Sequence, residues 1–197
     1  MENHVLGLEL PTDPRWVDIA RKNIGDILSD HAYCEQKAAT SCISLIVQFF
    51  EKEKLVEMLT LLVAEEWDHF SRVLAELKKR NLTLGPPRED EYVKELNKLI
   101  RKGGNREQQL VEKLLLNALI EARSCERFRL LWKEINDEEL SHFYYELMVS
   151  EAGHYKNFLV LAKEYHDPQK VHLRWHELLS QEAEIMKDLK VRADRMH

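Results

Sequence analysis

The stretch Glu66-Trp67-Asp68-His69 decides the organisation of this chain, because its Glu-x-x-His pattern returns at Glu151-Ala152-Gly153-His154. The glutamate and the histidine both recur at an offset of 85 residues. Each copy follows a single glutamate, Glu35 before the first and Glu121 before the second. A four-helix bundle that holds two iron or manganese ions uses this set of side chains: one Glu from each of two helices and a Glu-x-x-His from each of the other two.

The composition indicates an all-helical chain. Its 197 residues include 32% charged residues but only 6 glycines and 5 prolines, and no stretch has the pattern of a β-hairpin. This length suffices for one domain with a substantial hydrophobic core. We predict an all-α protein that forms a single ferritin-like domain over residues 1–197.

Apolar residues at three- and four-residue spacing predict the four helices of a ferritin-like bundle. These helices extend over about residues 26–51, 54–81, 106–134 and 137–166. Gly25 is predicted to be a break before the first helix, and Gly85-Pro86-Pro87 cannot continue the second. Two antiparallel hairpins joined by one long crossover, here residues 82–105, connect four helices in the ferritin-like way.

Three further helices are predicted outside the bundle. Asp13-Pro14 is typical of an N-cap followed by proline at the first helical position, so a short helix is expected to extend to about residue 23. Asp167-Pro168 predicts a C-terminal helix over about residues 168–192 for the same reason. The crossover contains a short helix, about residues 89–101, that ends before Gly103-Gly104.

The net charge of the chain gives no indication of nucleic-acid binding. It is −6, although basic clusters occur at residues 78–80, at residues 101–106 and at residues 187–195. Such clusters are most simply cations near helix ends, where they complement the helix dipole. A local patch can still bind a structured RNA, so the charge balance neither supports nor excludes RNA.

The lack of a secretory-signal pattern and the arrangement of the cysteines lead us to expect a cytoplasmic location. Residues 1–10 lack a basic segment before an apolar one, and the longest nearly uncharged run, residues 38–50, is too short to span a bilayer. Cys34, Cys42 and Cys125 form no CxxC pair, so we expect reduced thiols that serve as small core residues. We therefore expect a cytoplasmic enzyme with no membrane partner.

Two other groups of histidines are weaker candidates for metal binding. Glu139 and His142 form a third Glu-x-x-His, but it has no counterpart 85 residues earlier and lies beside a predicted helix start. We expect this pair at the surface. His172 and His176 lie four residues apart on the C-terminal helix without a matching acid, so packing or surface roles are expected.

The single glutamate of the third bundle helix has a competitor in Glu126. The offset from Glu35 is 86 residues to Glu121 and 91 to Glu126, and only the first agrees with the 85 of the paired motifs. Glu121 and Glu151 are also about equally far from Asn136, as facing residues of an antiparallel hairpin are. Glu126 falls off the inward stripe, so we choose Glu121.

The chemistry of these side chains predicts a dinuclear metal site. Carboxylates that converge in an apolar core repel one another and lose their hydration unless cations compensate. Two divalent ions with bridging carboxylates and one imidazole each suit iron, or else manganese, better than magnesium or calcium. The predicted metal ligands, which are catalytic through the metal centre, are Glu35, Glu66, His69, Glu121, Glu151 and His154.

Neighbouring residues are candidates to orient these ligands, because metal-bound histidines usually donate their second N–H to a carboxylate or carbonyl. Asp30, His31 and Asp68 lie close enough in sequence for such a role. His31 lies one turn before Glu35 on the same stripe. It is interpreted either as an orienting residue or as an ordinary core histidine.

Four segments resemble the tRNA-(2-methylthio-N6-isopentenyladenosine) hydroxylase family. They are DHAYCEQKAA at residues 30–39, EEWDHF at 65–70, IEARSCERF at 120–128 and SEAGH at 150–154. The resemblance implies a ferritin-like, non-haem di-iron monooxygenase that uses O₂ and two electrons from an external reductase or ferredoxin. Its substrate would be tRNA that carries a prenylated adenosine, hydroxylated on the isopentenyl group. The resemblance also implies that the six predicted ligands bind the two irons.

Two other interpretations stay open at this point. One is a different ferritin-like oxidase, such as a ferroxidase, a manganese catalase or a small-molecule hydroxylase. The lack of a CxxC pair argues against a rubrerythrin with its own electron-transfer centre. The other is a non-catalytic helical module in which the metals are structural.

Overall fold

The computed structural model describes residues 5–189 and Met196. Within these residues the chain forms seven α-helices and no β-strand. The helices are α1 (Arg15–Lys22), α2 (Ile24–Gln48), α3 (Glu53–Lys79), α4 (Glu91–Asn97), α5 (Arg106–Glu134), α6 (Glu138–Tyr165) and α7 (Pro168–Asp188), and a 3₁₀ turn at Val5–Gly7 precedes them. Among the described helices, none combines the length and apolar content that crossing a bilayer requires.

The predicted helices are all present, with differences at their ends. Gly25 is not a break, because α2 already begins at Ile24 and the chain turns at Asn23 instead. A Cβ at Gly25 would lie 3.2 Å from Leu82 Cδ1, so this glycine serves close packing inside the helix. The short crossover helix is seven residues long rather than thirteen. The predicted C-terminal helix ends at Asp188, and residues 190–195, where we expected it to finish, lie outside the described residues.

Side-chain caps explain where several helices begin. Asn105 and Gln108 form a capping box at the start of α5, each accepting a backbone N–H of the other residue. The carboxylates of Asp137 and Asp167 accept backbone N–H groups in the first turns of α6 and α7. Asn81, with φ at 56°, ends α3 in the left-handed conformation typical of a helix C-terminus.

The described chain forms two compact units, and the boundary between them falls within α1. The first unit comprises residues 18–89 with Met196, and its main feature is the hairpin in which α2 packs along α3. Its core contains fully buried leucines, including Leu28, Leu55 and Leu59. That residues 1–197 form a single domain stays a prediction.

The second unit comprises residues 5–17 and 90–189. Here α5 packs along α6, and α7 contacts α4, α5 and α6. Its core is also rich in leucine, with Leu110, Leu114 and Leu119 fully buried on α5.

A buried ion network holds the second unit together around Arg123, whose side chain is fully buried. Its guanidinium donates to Glu182 Oε1 at 2.6 Å and 2.9 Å and to Glu126 Oε2 at 2.5 Å. Glu182 also accepts from the Tyr92 hydroxyl at 3.1 Å, and Glu126 accepts from the Thr12 backbone and hydroxyl at 2.8 Å and 2.6 Å. The network therefore ties α7, α4 and the N-terminal segment to α5.

We expect Arg123→Met to lower the free energy of unfolding by about 3–5 kcal/mol, because it leaves buried carboxylates without their cation. Urea denaturation followed by circular dichroism measures this loss. The matched control is Arg21→Met, which removes an exposed pair with Asp18 on α1 and should cost less than about 1 kcal/mol. Equal losses for the two variants would contradict a stabilising role for the buried network.

Candidate metal centre

Three of the predicted ligands come together in the first unit. Glu35 on α2 and Glu66 and His69 on α3 are buried, with 3%, 1% and 4% of their surface exposed. Their ligand atoms lie within 4.8 Å of one another. His69 Nδ1 lies 3.7 Å from Glu35 Oε2 and 3.7 Å from Glu66 Oε2. The α2–α3 hairpin thus brings the single glutamate to the Glu-x-x-His motif, as predicted.

The other three predicted ligands come together in the second unit. Glu121 on α5 and Glu151 and His154 on α6 are also buried. Their ligand atoms again lie within 4.8 Å of one another, and His154 Nδ1 lies 3.5 Å from Glu151 Oε2. The repeat in the sequence therefore corresponds to a repeat of local geometry, in which each hairpin supplies two carboxylates and one imidazole.

The local geometry of each set fits a metal ion. Separations of 3.5–3.7 Å between the imidazole nitrogen and the carboxylate oxygens are longer than a good hydrogen bond. They are of the size expected for two ligands of one ion, which bind at about 2.1 Å. Carboxylates buried this close together are costly without a compensating cation. The two sets of buried side chains therefore indicate metal binding.

His31 contacts one of these ligands. It is fully buried, and its Nε2 lies 2.5 Å from Glu35 Oε1, one helical turn away on α2. Of the two interpretations of His31, this contact favours the orienting one, since the ring holds the carboxylate in place.

The two aspartates proposed for the same role differ from His31. Asp30 is buried and accepts the backbone N–H of Met196 at 2.8 Å, so its clearest partner is the C-terminal segment. Its role toward the ligands stays a prediction. Asp68 is exposed, which argues against a role in orienting buried ligands.

Ser150 contacts the predicted ligand His154 but was not itself among the predicted site residues. Its hydroxyl lies 3.4 Å from His154 Nε2, while Nδ1 of the same ring faces Glu151. A contact at Nε2 orients the ring so that Nδ1 points toward the carboxylates. The sequence could have indicated this contact, because Ser150 lies four residues before His154 and residues at this spacing are neighbours on a helix surface.

Two cysteines lie beside the ligand sets as neutral groups. Burial raises the pKa of the Cys42 thiol to about 12, and the negative charge of Glu66 adds to the effect. Burial likewise raises the pKa of Cys125 to about 12, with Glu151 contributing, and its thiol donates to the Met148 carbonyl at 3.4 Å. Both therefore stay protonated near neutral pH and behave as the small core residues that we predicted.

The weaker candidates lie elsewhere. Glu139 and His142 are exposed, and His142 pairs with Glu146 at 3.2 Å. His172 and His176 are also exposed, with their rings 4.4 Å apart between centroids. Both groups are surface residues, as expected.

Glu121 and Glu126, the two candidates for the single glutamate ligand on α5, have different environments. Glu126 is buried too, with 6% of its surface exposed, but its carboxylate is bonded to Thr12 and Arg123. Arg123, the cation that neutralises Glu126, lies on the same helix, α5. Glu121 instead lies within the ligand set of Glu151 and His154.

Comparison with known proteins gives the family. Residues 2–197 match the family described as tRNA-(MS2IO6A)-hydroxylase (MiaE). A tRNA 2-(methylsulfanyl)-N(6)-isopentenyladenosine(37) hydroxylase from Pseudomonas putida is 39% identical over 160 residues, covering 81% of this chain and 77% of the relative. The enzyme of the same name from Salmonella typhimurium is 28% identical over 206 aligned positions, covering 80% of this chain and 75% of the relative.

A solved structure agrees with the fold. Protein 43 with aldehyde deformylating oxygenase activity from Synechococcus superposes with a TM-score of 0.91 at 33% identity, covering 98% of this chain and 96% of the other. This likeness confirms the predicted all-α, ferritin-like fold. With a family match over nearly the whole sequence, the chain belongs to the tRNA-(MS2IO6A)-hydroxylase family.

Proposed function

We propose that this chain is an O₂-dependent, non-haem di-iron monooxygenase that hydroxylates the isopentenyl group of 2-methylthio-N6-isopentenyladenosine in tRNA. The observation that carries this proposal is the family match over residues 2–197. The two relatives named for the same hydroxylation support it, since each alignment covers about four fifths of the chain.

The two ligand sets together are proposed to hold the metal. Each hairpin supplies two carboxylates and one imidazole, which makes six ligands for two ions with carboxylates free to bridge them. The matching offsets, the burial and the ligand-atom spacing within each set support this assignment. Mixed oxygen and nitrogen ligands suit iron or manganese, and the oxygenase family favours iron.

The reaction needs O₂ and two electrons. When bound, the two irons supply the oxygen chemistry: a C–H bond, O₂, two electrons and two protons yield a C–OH group and one water. An external reductase or ferredoxin is proposed as the electron donor.

The protein's own residues position and shield the centre. His31 Nε2 holds the Glu35 carboxylate, and the Ser150 hydroxyl lies against His154 Nε2, so one ligand of each hairpin has an orienting partner. Burial of the ligands excludes water, which protects a reactive oxidant from side reactions. The protonated thiols of Cys42 and Cys125 fill space beside the ligands without adding charge.

A second candidate activity is aldehyde deformylation, favoured by the likeness to Protein 43 over 98% of this chain. In that reaction an aldehyde, O₂, four electrons and four protons yield an alkane one carbon shorter, formic acid and water. A buried dinuclear centre and an external electron donor serve both reactions, so the metal ligands alone do not separate them. The family match favours tRNA hydroxylation.

We expect the wild-type protein, loaded anaerobically with ferrous iron, to bind two ions per chain and Glu121→Ala to lose at least one, because a buried ligand is removed. Metal analysis after gel filtration measures the stoichiometry. Glu126→Ala is the matched control: it lies five residues further along α5 and should keep two irons while unfolding at lower urea, since it breaks the Arg123 network. The reverse pattern would overturn the assignment of Glu121.

We expect cells that lack this protein to accumulate tRNA with the prenylated, unhydroxylated adenosine, because the last oxidation is missing. Nucleoside mass spectrometry of digested tRNA measures both forms. The wild-type gene should restore the hydroxylated nucleoside and the Glu121→Ala gene should not. An unchanged level of hydroxylated nucleoside in the deletion strain would sink the proposed function.

We expect the iron-loaded protein, given a chemical reductant and a long-chain aldehyde, to form less alkane per minute than it forms hydroxylated nucleoside from tRNA. Gas chromatography measures the alkane, and Glu121→Ala protein serves as the control for metal-dependent turnover. Alkane formation without tRNA hydroxylation would favour the second candidate activity.

A further inference from the structure

A cavity of about 490 Å³ lies in the second unit, where the end of the crossover meets the first turns of α5 and α7. We call it the α5–α7 pocket. Its charged lining residues are Arg101, Lys102, Glu112, Lys170, Arg174 and Glu177. Four cations and two carboxylates give a local positive excess in a chain whose net charge is −6.

The two arginines are held in place by the two carboxylates. Arg174 donates to Glu112 Oε1 at 2.8 Å and Oε2 at 2.7 Å, and also to the Leu99 carbonyl at 2.7 Å. Arg101 pairs with Glu177 Oε2 at 2.5 Å. These pairs stabilise the wall of the pocket and neutralise each other's charge.

The two lysines provide the positive excess. Lys102 and Lys170 are exposed at the pocket, and neither forms a salt bridge with any part of the chain that the structure describes. His166, half-buried, also lines the cavity. Two ammonium groups at the mouth of a cavity favour an anionic ligand.

The other basic clusters of the sequence differ from this one. At the end of α3, Lys79 and Arg80 both pair with Glu76, at 2.7 Å and 2.5 Å, while Lys78 forms no salt bridge within the described residues and lines no part of the α5–α7 pocket. Near the end of α7, Lys187 pairs with Glu184 at 2.5 Å. Residues 190–195 lie outside the described part of the chain. The cluster at residues 101–106 instead borders the α5–α7 pocket, where Lys102 faces an open cavity.

We propose that the α5–α7 pocket binds a backbone phosphate of RNA and so docks the tRNA substrate, an inference that rests on the proposed function. The volume lies in the range of small-ligand sites, about 300–1,000 Å³, which suits a nucleotide better than the flat surface of a protein partner. Lysine ammonium groups bind phosphate oxygens as point charges, and contacts of this kind supply most of the non-specific affinity for nucleic acid.

The test is the double variant Lys102→Glu with Lys170→Glu, whose tRNA affinity is measured by filter binding over a series of KCl concentrations. We expect the affinity at low salt to fall about tenfold or more relative to the control, and the slope of log K against log salt to shrink by about 2. The matched control, Lys22→Glu with Lys156→Glu, makes the same charge change at exposed positions on α1 and α6 that do not line the pocket and that form no salt bridge within the described residues. Circular dichroism and iron content verify that both variants fold.

Affinity and salt slope equal to those of the control variant would overturn the docking proposal. A second outcome would also overturn the proposal. In it, the double variant binds tRNA normally and turns over normally with a chemical reductant, but its turnover driven by an acidic ferredoxin falls. The pocket would then bind the electron donor rather than tRNA. Failure of the proposed function looks different: it shows in the wild-type protein, which would then neither bind nor hydroxylate prenylated tRNA.

Discussion

The free-energy cost of burying the glutamate carboxylates inside each hairpin is the constraint on which the rest of the structure depends. In each hairpin two glutamates and one histidine lie within 4.8 Å of one another with almost no exposed surface. Dehydration and mutual repulsion oppose such an arrangement, and a bound cation offsets both. The long helices that carry these residues, with 25 to 29 residues each, surround them with leucine-rich packing that holds the ligands in place. We therefore expect metal binding at the proposed centre to stabilise the fold.

The chain buries charge in two different ways on a single helix. Glu121 of α5 lies with Glu151 and His154, a set for which we propose a metal ion as the compensating cation. Glu126, five residues further on, is neutralised by Arg123 and held by Thr12, so its cation is built into the fold. The sequence segment that contains both glutamates thus serves the metal on one face and the packing of α7 and the N-terminal segment on another. This division accounts for the burial of Glu121, Arg123 and Glu126 on α5, while Glu112 on the same helix is paired with Arg174 of α7.

The acidic net charge and an RNA substrate are compatible because recognition depends on the local field. The chain carries a charge of −6, and Lys79, Arg80 and Lys187, near the ends of α3 and α7, are paired with nearby carboxylates. At the α5–α7 pocket two lysines stay outside such pairs within the described part of the chain. A phosphate can be attracted at one place while the remaining surface repels RNA, which positions a substrate rather than merely binding it.

The sequence by itself determined the helices, since periodicity and caps are local properties that need no structure, and its repeated motifs with their matching offset predicted the ligand set and the choice of Glu121. It also carried the family resemblance. It did not determine that Gly25 lies inside a helix, that Ser150 contacts the predicted ligand His154, or that His31 contacts Glu35. Nor did it separate the basic cluster at residues 101–106 from the other two. Gly25 packs against Leu82, which is distant in sequence, so only the tertiary structure reveals that contact. His31 and Ser150 contact residues four positions away on their own helices; this spacing permits the contacts, but the packing around each side chain decides its rotamer.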